Sequence, residues 1–230
     1  MPVTTVGFDA DDTLWHNETI FRLTQERFAE LLADRADPAE LEKRLAAVEK
    51  RNLSLYGYGV KGFTLSLIET AMELCDGEAP AHVVREILAA GREMLAHPVE
   101  PLPGVDDALT ALADRYRLVL ITKGDLFHQE RKLAASGLGE LFAAVEIVSE
   151  KDAETYRRVF ARHGTGAEEA AMVGNSMRSD ILPALEAGAF AAYVPYPLVW
   201  AHEAAEPPQH PRYAELESIA EAPAWLESIA

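Results

Sequence analysis

Short apolar segments alternate with helical segments over the second half of the chain, and this alternation restricts the possible folds more than any other feature. Parallel strands need a crossover connection, usually a helix, before the next strand can pair. Strands that are buried on both faces read as continuous apolar runs. The segments with this character are RLVLIT (117–122), AAVEIV (143–148), AAMVG (170–174) and AFAAYVP (189–195). We therefore predict an α/β fold with a doubly wound parallel sheet.

The first strand of this sheet is separated from the others by a long helical block. VTTVGF (3–8) is rich in β-branched residues and ends at Asp9, whereas residues 19–97 carry apolar residues only at helical spacing. Asp37-Pro38 within this block is an N-cap followed by a proline at the first helical position, which indicates a helix start. The proline-rich segment HPVEPLPG (97–104) ends the block.

The helical block is therefore expected to be an insertion into the α/β core. The predicted core comprises residues 1–15 and 99–230, and the predicted inserted unit comprises residues 16–98. Inside the insertion, LYGYGVKGF (55–63) is expected to be a glycine-rich loop between two helices.

Charge and composition exclude several classes of partner. The formal net charge of −17, from 21 basic and 38 acidic residues, argues against nucleic acid and anionic membranes. No apolar run approaches the ~20 residues that a membrane helix needs, and the N-terminus has no secretory pattern. The single Cys75, expected to be a small buried hydrophobic side chain on a helix, fits a reducing compartment. We expect a cytoplasmic protein, and the oligomeric state stays open.

Polar side chains follow the strands at the edge where ligands bind in open α/β sheets. The first strand is followed by three carboxylates within four positions, Asp9, Asp11 and Asp12, of which Asp12 is expected to face solvent or to cap the turn. Like charges this close repel, so the cluster needs a cation or a cage of hydrogen-bond donors. The other strand-end groups are Thr13, Thr122, Lys123, Gly124, Lys151, Asn175, Arg178 and Asp180.

These residue types match the needs of phosphoryl transfer. A carboxylate can attack phosphorus and form a covalent intermediate, and a second carboxylate nearby can move protons. A hydroxyl and a lysine can hold phosphoryl oxygens, while Mg²⁺ on oxygen ligands neutralises charge. Each residue alone has an ordinary alternative, since acids commonly cap turns after strands.

The motifs also resemble those of a known family. DADDT (9–13), Thr122, Lys151 and GNSMRSD (174–180) are similar, in this order, to the four motifs of the haloacid dehalogenase (HAD) superfamily of phosphohydrolases. The resemblance covers nearly the whole chain, with residues 15–98 resembling the helical C1-type cap of many members. It implies a Rossmann-like core with an inserted helical cap.

The resemblance assigns roles to individual residues. Asp9 would be the nucleophile, Asp11 the general acid and base, and Thr122 and Lys151 the groups that bind the phosphoryl group. The metal ligands would be Asp9, Asp11 through its backbone carbonyl, Asn175 and Asp180. This chain departs from the family pattern at Asn175, where Gly-Asp is common. The residues expected to contact substrate are Thr13, Lys123, Gly124 and Arg178 in the core, and Tyr58 and Lys61 in the cap loop.

The function expected from these observations is a Mg²⁺-dependent phosphatase that hydrolyses a small phosphorylated metabolite through an aspartyl-phosphate. An aspartate at position 11 discriminates within the superfamily, because a phosphate ester has an alkoxide leaving group that must be protonated. Two alternatives stay open. A phosphoryl-transfer mutase would share the same motifs, and a non-catalytic phosphate-binding or interaction protein is suggested by Asn175.

Overall fold

A computed structural model describes residues 2–198, 200 and 202–229 of the chain. Packing divides these residues into two units. The sheet unit contains the chain up to Glu18, Val99–Lys123 and the chain from Gln129 onward, and the helical unit contains Thr19–Pro98 and Gly124–His128. The assignment of 1–15 and 99–230 to a catalytic core and of 16–98 to a cap stays a prediction.

The sheet unit is built on six parallel strands in the order β3-β2-β1-β4-β5-β6. This order is that of a Rossmann-like fold, and its direction reverses between β1 and β4. The predicted α/β class and parallel sheet are therefore confirmed. The strands are β1 Thr5–Phe8, β2 Arg117–Lys123, β3 Ala144–Val148, β4 Ala170–Gly174, β5 Phe190–Tyr193 and β6 Tyr213–Glu215.

Helices belong to both units. Within the described residues, none has the length and apolarity needed to cross a bilayer. Met177–Ile181 forms a π-helical turn that leads directly into the eighth α-helix. The α-helices are α1 Glu18–Leu31, α2 Pro38–Tyr56, α3 Val60–Leu74, α4 Ala81–Ala96, α5 Val105–Ala113, α6 Leu126–Ser136, α7 Ala153–His163, α8 Leu182–Ala187 and α9 Ala222–Ser228.

Alternation along the strands separates two apolar layers. In β2, Leu118 and Leu120 pack on one face with residues of α5 and α9, such as Leu109. Val119 and Ile121 pack on the other face with residues of α7 and α8. Successive side chains of a strand point to opposite faces, so a strand covered on both sides is apolar throughout. This burial positions the polar residues that follow each strand at the carboxyl edge of the sheet.

The helical unit has an apolar core of its own. Phe28, Leu45, Phe63 and Ile87, one from each of α1 to α4, are all buried in it. Cys75 directly follows α3, and it is half-buried against this core.

The predicted start of α2 is confirmed. Asp37 Oδ1 accepts a hydrogen bond from Glu40 N at 3.0 Å, and Pro38 is the first helical residue.

The predicted loop over 55–63 is wrong in its extent. α2 continues to Tyr56 and α3 begins at Val60, so only residues 57–59 connect them. Gly57 and Gly59 have φ of +71° and +104°, a backbone region that favours glycine, and they turn the chain within three residues. Consequently Lys61 lies on the first turn of α3, while Tyr58 lies in the connection.

Candidate active site

Asp9 directly follows β1, and its buried carboxylate is held on both sides. Lys151 Nζ donates to Asp9 Oδ1 at 2.5 Å, and Thr13 Oγ1 donates to Asp9 Oδ2 at 3.1 Å. The backbone N–H of Asp9 donates to Val173 O at 3.0 Å and so continues the pairing of β1 with β4. The sheet and two side chains thus fix the carboxylate at the point where the strand order reverses.

Asp180 binds the same lysine as Asp9. Lys151 Nζ donates to Asp180 Oδ1 at 2.7 Å, and Ser176 N donates to Asp180 Oδ2 at 2.9 Å. The hydroxyl of Tyr156 also lies 3.4 Å from Oδ1. Gly174 leaves room for this carboxylate, because a Cβ there would lie 2.3 Å from Asp180 Oδ2. Both oxygens of Asp180 therefore already accept hydrogen bonds from the protein.

One buried ammonium thus lies between two carboxylates. Burial favours the neutral amine of Lys151, but the charges of Asp180 and Asp9 raise its pKa, so that it stays an ammonium. Burial raises the pKa of Asp9 to about 7 against the opposing charge of Lys151. A single positive charge does not balance both acids, so a further cation beside Asp9 would favour its ionised form.

Asp11 is surrounded by three hydrogen-bond donors. Its Oδ1 accepts from Trp15 Nε1 at 2.7 Å and from Lys132 Nζ, and its Oδ2 accepts from Gln129 Nε2 at 3.1 Å. Burial alone would raise the pKa of Asp11, but the charge of Lys132 and these hydrogen bonds lower it. Asp11 is thus held in one orientation as a carboxylate.

Thr122 is linked to Asp11 through the same glutamine. Gln129 Nε2 lies 2.8 Å from Thr122 Oγ1 and 2.9 Å from Lys123 O, in addition to its contact with Asp11. Thr122 Oγ1 in turn donates to Lys123 O at 3.2 Å. The ends of β1 and β2 are therefore joined around one buried amide.

The side-chain amide of Asn175 provides a test of whether this edge fits a metal ion. One terminal amide atom lies 3.1 Å from Asp11 O, 3.2 Å from Asp9 Oδ2 and 3.1 Å from Thr13 Oγ1. If that atom is nitrogen, it donates to these oxygens; if it is oxygen, a group of oxygens converges that suits a hard divalent cation. Among the described residues, no three His, Cys, Asp or Glu side chains form a metal cage. A cation here would therefore depend on the main-chain and amide oxygens, and the donor set fits Mg²⁺.

Asp12 caps the start of α1 and does not face solvent. Its Oδ1 accepts from Asn17 N at 2.8 Å and from Glu18 N at 3.0 Å, and the side chain is buried. Burial raises the pKa of Asp12 to about 7 against these backbone hydrogen bonds. Its φ of +62° is unusual for a residue other than glycine, and it allows the chain to turn away from β1.

Lys123 and Arg178, both predicted to contact substrate, bind groups of the protein. Lys123 Nζ donates to Ser179 Oγ at 2.8 Å and to Glu203 Oε1 at 2.7 Å. Burial would raise the pKa of Glu203, but the charge of Lys123 and hydrogen bonds from hydroxyl groups lower it. Arg178 is exposed, and its Nη1 donates to His202 O at 3.3 Å. A direct role of either residue in substrate binding stays a prediction.

The three remaining predicted contacts belong to the helical unit. Lys61 Nζ donates to Asp125 Oδ2 at 2.9 Å, Tyr58 is half-buried, and Gly124 has a φ of +132°. Their contact with substrate also stays a prediction.

Sequence reasoning missed several residues that hold the predicted ones. Gln129 and Lys132 lie on α6, Trp15 follows the first motif, and Glu203 lies between β5 and β6. Gln129 and Lys132 belong to the predicted helical segment that directly follows the strand ending at Thr122. This closeness in sequence to Thr122 is the signal that could have indicated them. No local pattern distinguishes Glu203 from the other acids of its segment.

Known proteins resemble this chain over most of its length. Residues 3–188 match the family model described as haloacid dehalogenase-like hydrolase. A haloacid dehalogenase-like family hydrolase from Xanthomonas campestris is 43% identical, with a TM-score of 0.89, over 99% of this chain and 91% of that chain.

Two more distant relatives extend the comparison. A glyceraldehyde 3-phosphate phosphatase from Methanothermobacter thermautotrophicus is 27% identical over 200 residues, which cover 82% of this chain and 84% of that protein. A Bacillus subtilis protein classed with the HAD hydrolases and bound to magnesium is 18% identical, with a TM-score of 0.67, over 98% of this chain and 99% of that one. At that identity the likeness concerns the fold alone.

Proposed function

Since the chain belongs to the haloacid dehalogenase-like hydrolases, we propose that it is a Mg²⁺-dependent phosphatase that hydrolyses a small phosphomonoester. The phosphatase relative from M. thermautotrophicus supports this choice of reaction. The substrate class is a small phosphorylated metabolite.

In the first step, an oxygen of Asp9 attacks phosphorus and the bond between phosphorus and the ester oxygen breaks. Asp11 gives its proton to the departing alkoxide, and the phosphoryl group is left on Asp9 as an aspartyl-phosphate. Thr122 and Lys151 bind the phosphoryl oxygens. Lys132 favours the ionised form of Asp11, whereas the like charge of an entering phosphate acts in the opposite direction and promotes the protonated form.

In the second step, water attacks the same phosphorus from the side that the alkoxide left. Asp11, now a carboxylate, takes a proton from this water, and the bond between phosphorus and the Asp9 oxygen breaks. Inorganic phosphate leaves and both carboxyl groups return to their starting forms. The donors around Asp11 suit this second role, because they hold a carboxylate at a constant position.

The residues that would hold Mg²⁺ are Asp9, the backbone carbonyl of Asp11 and the amide oxygen of Asn175. When bound, Mg²⁺ neutralises charge on the transferring phosphoryl group. Asp180 would not be a direct ligand, since both its oxygens already accept hydrogen bonds from Lys151 and Ser176. Its negative charge would still attract the cation. The choice of metal rests on these oxygen ligands, which suit a hard divalent cation.

The placement of Asp11 is the single observation that carries the proposal. A halide leaves as a weak base and needs no proton, so a dehalogenase gains nothing from a carboxylate at this position. An alkoxide is a strong base and needs a proton donor in the transition state. The three donors that hold Asp11 next to the nucleophile's strand therefore favour a phosphate ester over a haloacid.

The test is release of inorganic phosphate from a panel of phosphomonoesters, with Mg²⁺ and with EDTA, by the wild type and by Asp9→Asn. We expect metal-dependent release by the wild type and a loss of at least about 10³-fold in Asp9→Asn, because the amide is not a nucleophile. A circular dichroism spectrum checks that the variant is folded.

Two outcomes would change the proposed function. Isomerised product without phosphate release would identify a mutase. Binding of phosphorylated ligands with no turnover under any metal would identify a binding protein. Separately, wild-type activity in Asp9→Asn would overturn the mechanism.

A further inference from the structure

Glu203 brings a largely buried carboxylate to the strand ends from the segment between β5 and β6. Its Oε1 accepts from Lys123 Nζ at 2.7 Å, and its Oε2 accepts from Ser179 Oγ at 2.5 Å and from Ser176 Oγ. The Glu203 side chain is 17% exposed and that of Lys123 is 11% exposed. The reaction proposed above does not use this carboxylate.

The donors to Glu203 lie at the carboxyl ends of two strands that are not neighbours in the sheet. Lys123 is the last residue of β2, while Ser176 lies two residues after β4. β1, which ends next to Asp9, lies between these strands in the sheet. Glu203 therefore joins the two strand ends on either side of the nucleophile.

Backbone contacts fix the same segment a second time. The carbonyl of Glu203 accepts from Arg178 N at 3.3 Å, and its N–H donates to Trp200 O at 2.8 Å. Arg178 Nη1 donates to His202 O at 3.3 Å. His202 and Glu203 are thus tied to the turn 176–179 through both side chain and main chain.

Ser176 connects Glu203 to the candidate metal ligands. Its hydroxyl binds Glu203, its N–H donates to Asp180 Oδ2 at 2.9 Å, and it directly follows Asn175. A shift of Ser176 would therefore move the Asn175 amide away from Asp9 Oδ2 and Asp11 O.

We infer that Glu203 is a positioning residue for the cation-binding loop formed by residues 174–180. It holds Ser176 so that Asn175 faces Asp9, and its charge balances the ammonium of Lys123, which would otherwise repel a divalent cation bound nearby. The inference rests on the proposed function in that the cation is Mg²⁺.

The experiment measures Mg²⁺ binding by calorimetry, without substrate, to the wild type, Glu203→Gln, Glu203→Ala and Glu206→Gln. We expect both Glu203 variants to weaken Mg²⁺ binding by about 10- to 100-fold, the usual effect of losing a group that orients metal ligands. Glu206 is an exposed acid in the same segment, so Glu206→Gln removes the same charge without the contacts and should bind like the wild type. In turnover assays, the Mg²⁺ activation constant should rise by a similar factor. At saturating Mg²⁺, kcat should stay close to that of the wild type, because the site is then filled in every variant.

A purely structural role predicts a different pattern. It would lower the melting temperature of Glu203→Gln and leave the affinity for Mg²⁺ unchanged, and that result would overturn the inference. Glu203→Gln keeps the size of the side chain but removes its charge and one of its two acceptor oxygens, so it decides the question if Glu203→Ala does not fold. A wild type that binds no Mg²⁺ would instead overturn the proposed function, and it would be recognised before any variant is compared.

Discussion

At the scale of single residues, the candidate site depends on how each carboxylate is surrounded. Asp9 and Asp180 share one ammonium, whereas Asp11 accepts hydrogen bonds from an ammonium, an indole and an amide. Burial therefore raises the pKa of Asp9, while the donors around Asp11 outweigh burial and lower its pKa. Without a cation or a substrate, these shifts are opposite to what the reaction needs, since a nucleophile must be ionised and a proton donor protonated. A cation beside Asp9 would lower the pKa of Asp9, and an entering phosphate would raise the pKa of Asp11.

Replacing Asp11 with Asn should affect substrates according to their leaving groups. An alkyl phosphate needs a proton on its leaving oxygen, so its kcat should fall by about 10²- to 10⁴-fold, the usual contribution of general acid catalysis. An aryl phosphate with a good leaving group, such as p-nitrophenyl phosphate, needs little proton donation and should lose less. The measurement is kcat for both substrates in steady-state assays.

Asp9→Asn is the matched control for this experiment, since loss of the nucleophile should lower both rates equally. Because Lys132 loses its anionic partner in Asp11→Asn, a thermal melt should confirm that the variant is folded. Equal losses for alkyl and aryl phosphates in Asp11→Asn would contradict a role in protonating the leaving group.

Sequence patterns predicted candidate site residues at the strand ends, and they missed the residues that form hydrogen bonds with them. Asp9 and Asn175 directly follow β1 and β4, and Thr122 is the second-last residue of β2. All three could be predicted because an apolar run changes to polar residues there. Gln129, Lys132 and Glu203 have no such boundary beside them. A lysine on a helix is usually on a solvated face, and only the packing of α6 in the structure shows that Lys132 is buried.

At the scale of secondary structure, the junction between β3 and α7 controls the position of Lys151. Asp152 is the N-cap of α7, and its Oδ1 accepts from Thr155 N at 2.7 Å. This backbone hydrogen bond lowers the pKa of Asp152 below its ordinary value. The cap fixes the first turn of the helix directly after Lys151.

Asp152→Ala should therefore destabilise the protein by about 1 kcal/mol at pH 7, the usual cost of losing an N-cap. Because the folded-state pKa of Asp152 is lowered, its contribution is complete above the ordinary value of 3.8 and is lost as the pH falls through the folded-state value. The difference between wild type and variant should accordingly shrink as the pH falls below 3.8. Urea unfolding at pH 7 and at low pH measures both effects.

Asp152→Asn is the control, because asparagine caps helices about as well as aspartate and carries no charge. It should stay within a few tenths of a kcal/mol of the wild type at pH 7. A loss in Asp152→Asn as large as that in Asp152→Ala would show that the charge of Asp152, and not its hydrogen bond, stabilises α7.

Helices and strands marked by an apolar run or by an N-cap residue could be predicted from the sequence, and very short elements could not. β2 and β4 coincide with apolar runs of the sequence, and α2 starts at its predicted cap. β6 has only three residues, YAE, which show neither a run nor an alternation. The connection at 57–59 was predicted too long because tyrosine and lysine resemble loop residues, although the glycines alone form the turn.

At the scale of the whole molecule, the net charge of −17 opposes the anionic substrate that the proposed function requires. The buried cations of the candidate site do not offset this field, since Lys123, Lys132 and Lys151 are each paired with a carboxylate. A phosphate ester therefore approaches against the field of the protein, while Mg²⁺ approaches along it.

Ionic strength should consequently act on substrate and metal in opposite directions. Between about 10 and 200 mM salt, the screening length falls from about 30 Å to below 10 Å. The KM for the phosphate ester, at saturating Mg²⁺, should fall by about two- to fivefold as the repulsion is screened. Over the same range, the affinity for Mg²⁺ measured by calorimetry should decrease.

Tetramethylammonium chloride in place of sodium chloride separates general screening from competition by sodium for the metal site, and both salts should give the same slopes. A KM that rises with salt would show that the substrate meets a locally positive surface strong enough to outweigh the net charge. That surface would have to come from groups other than the three paired lysines. Arg178, which is exposed, would then be the first side chain to replace.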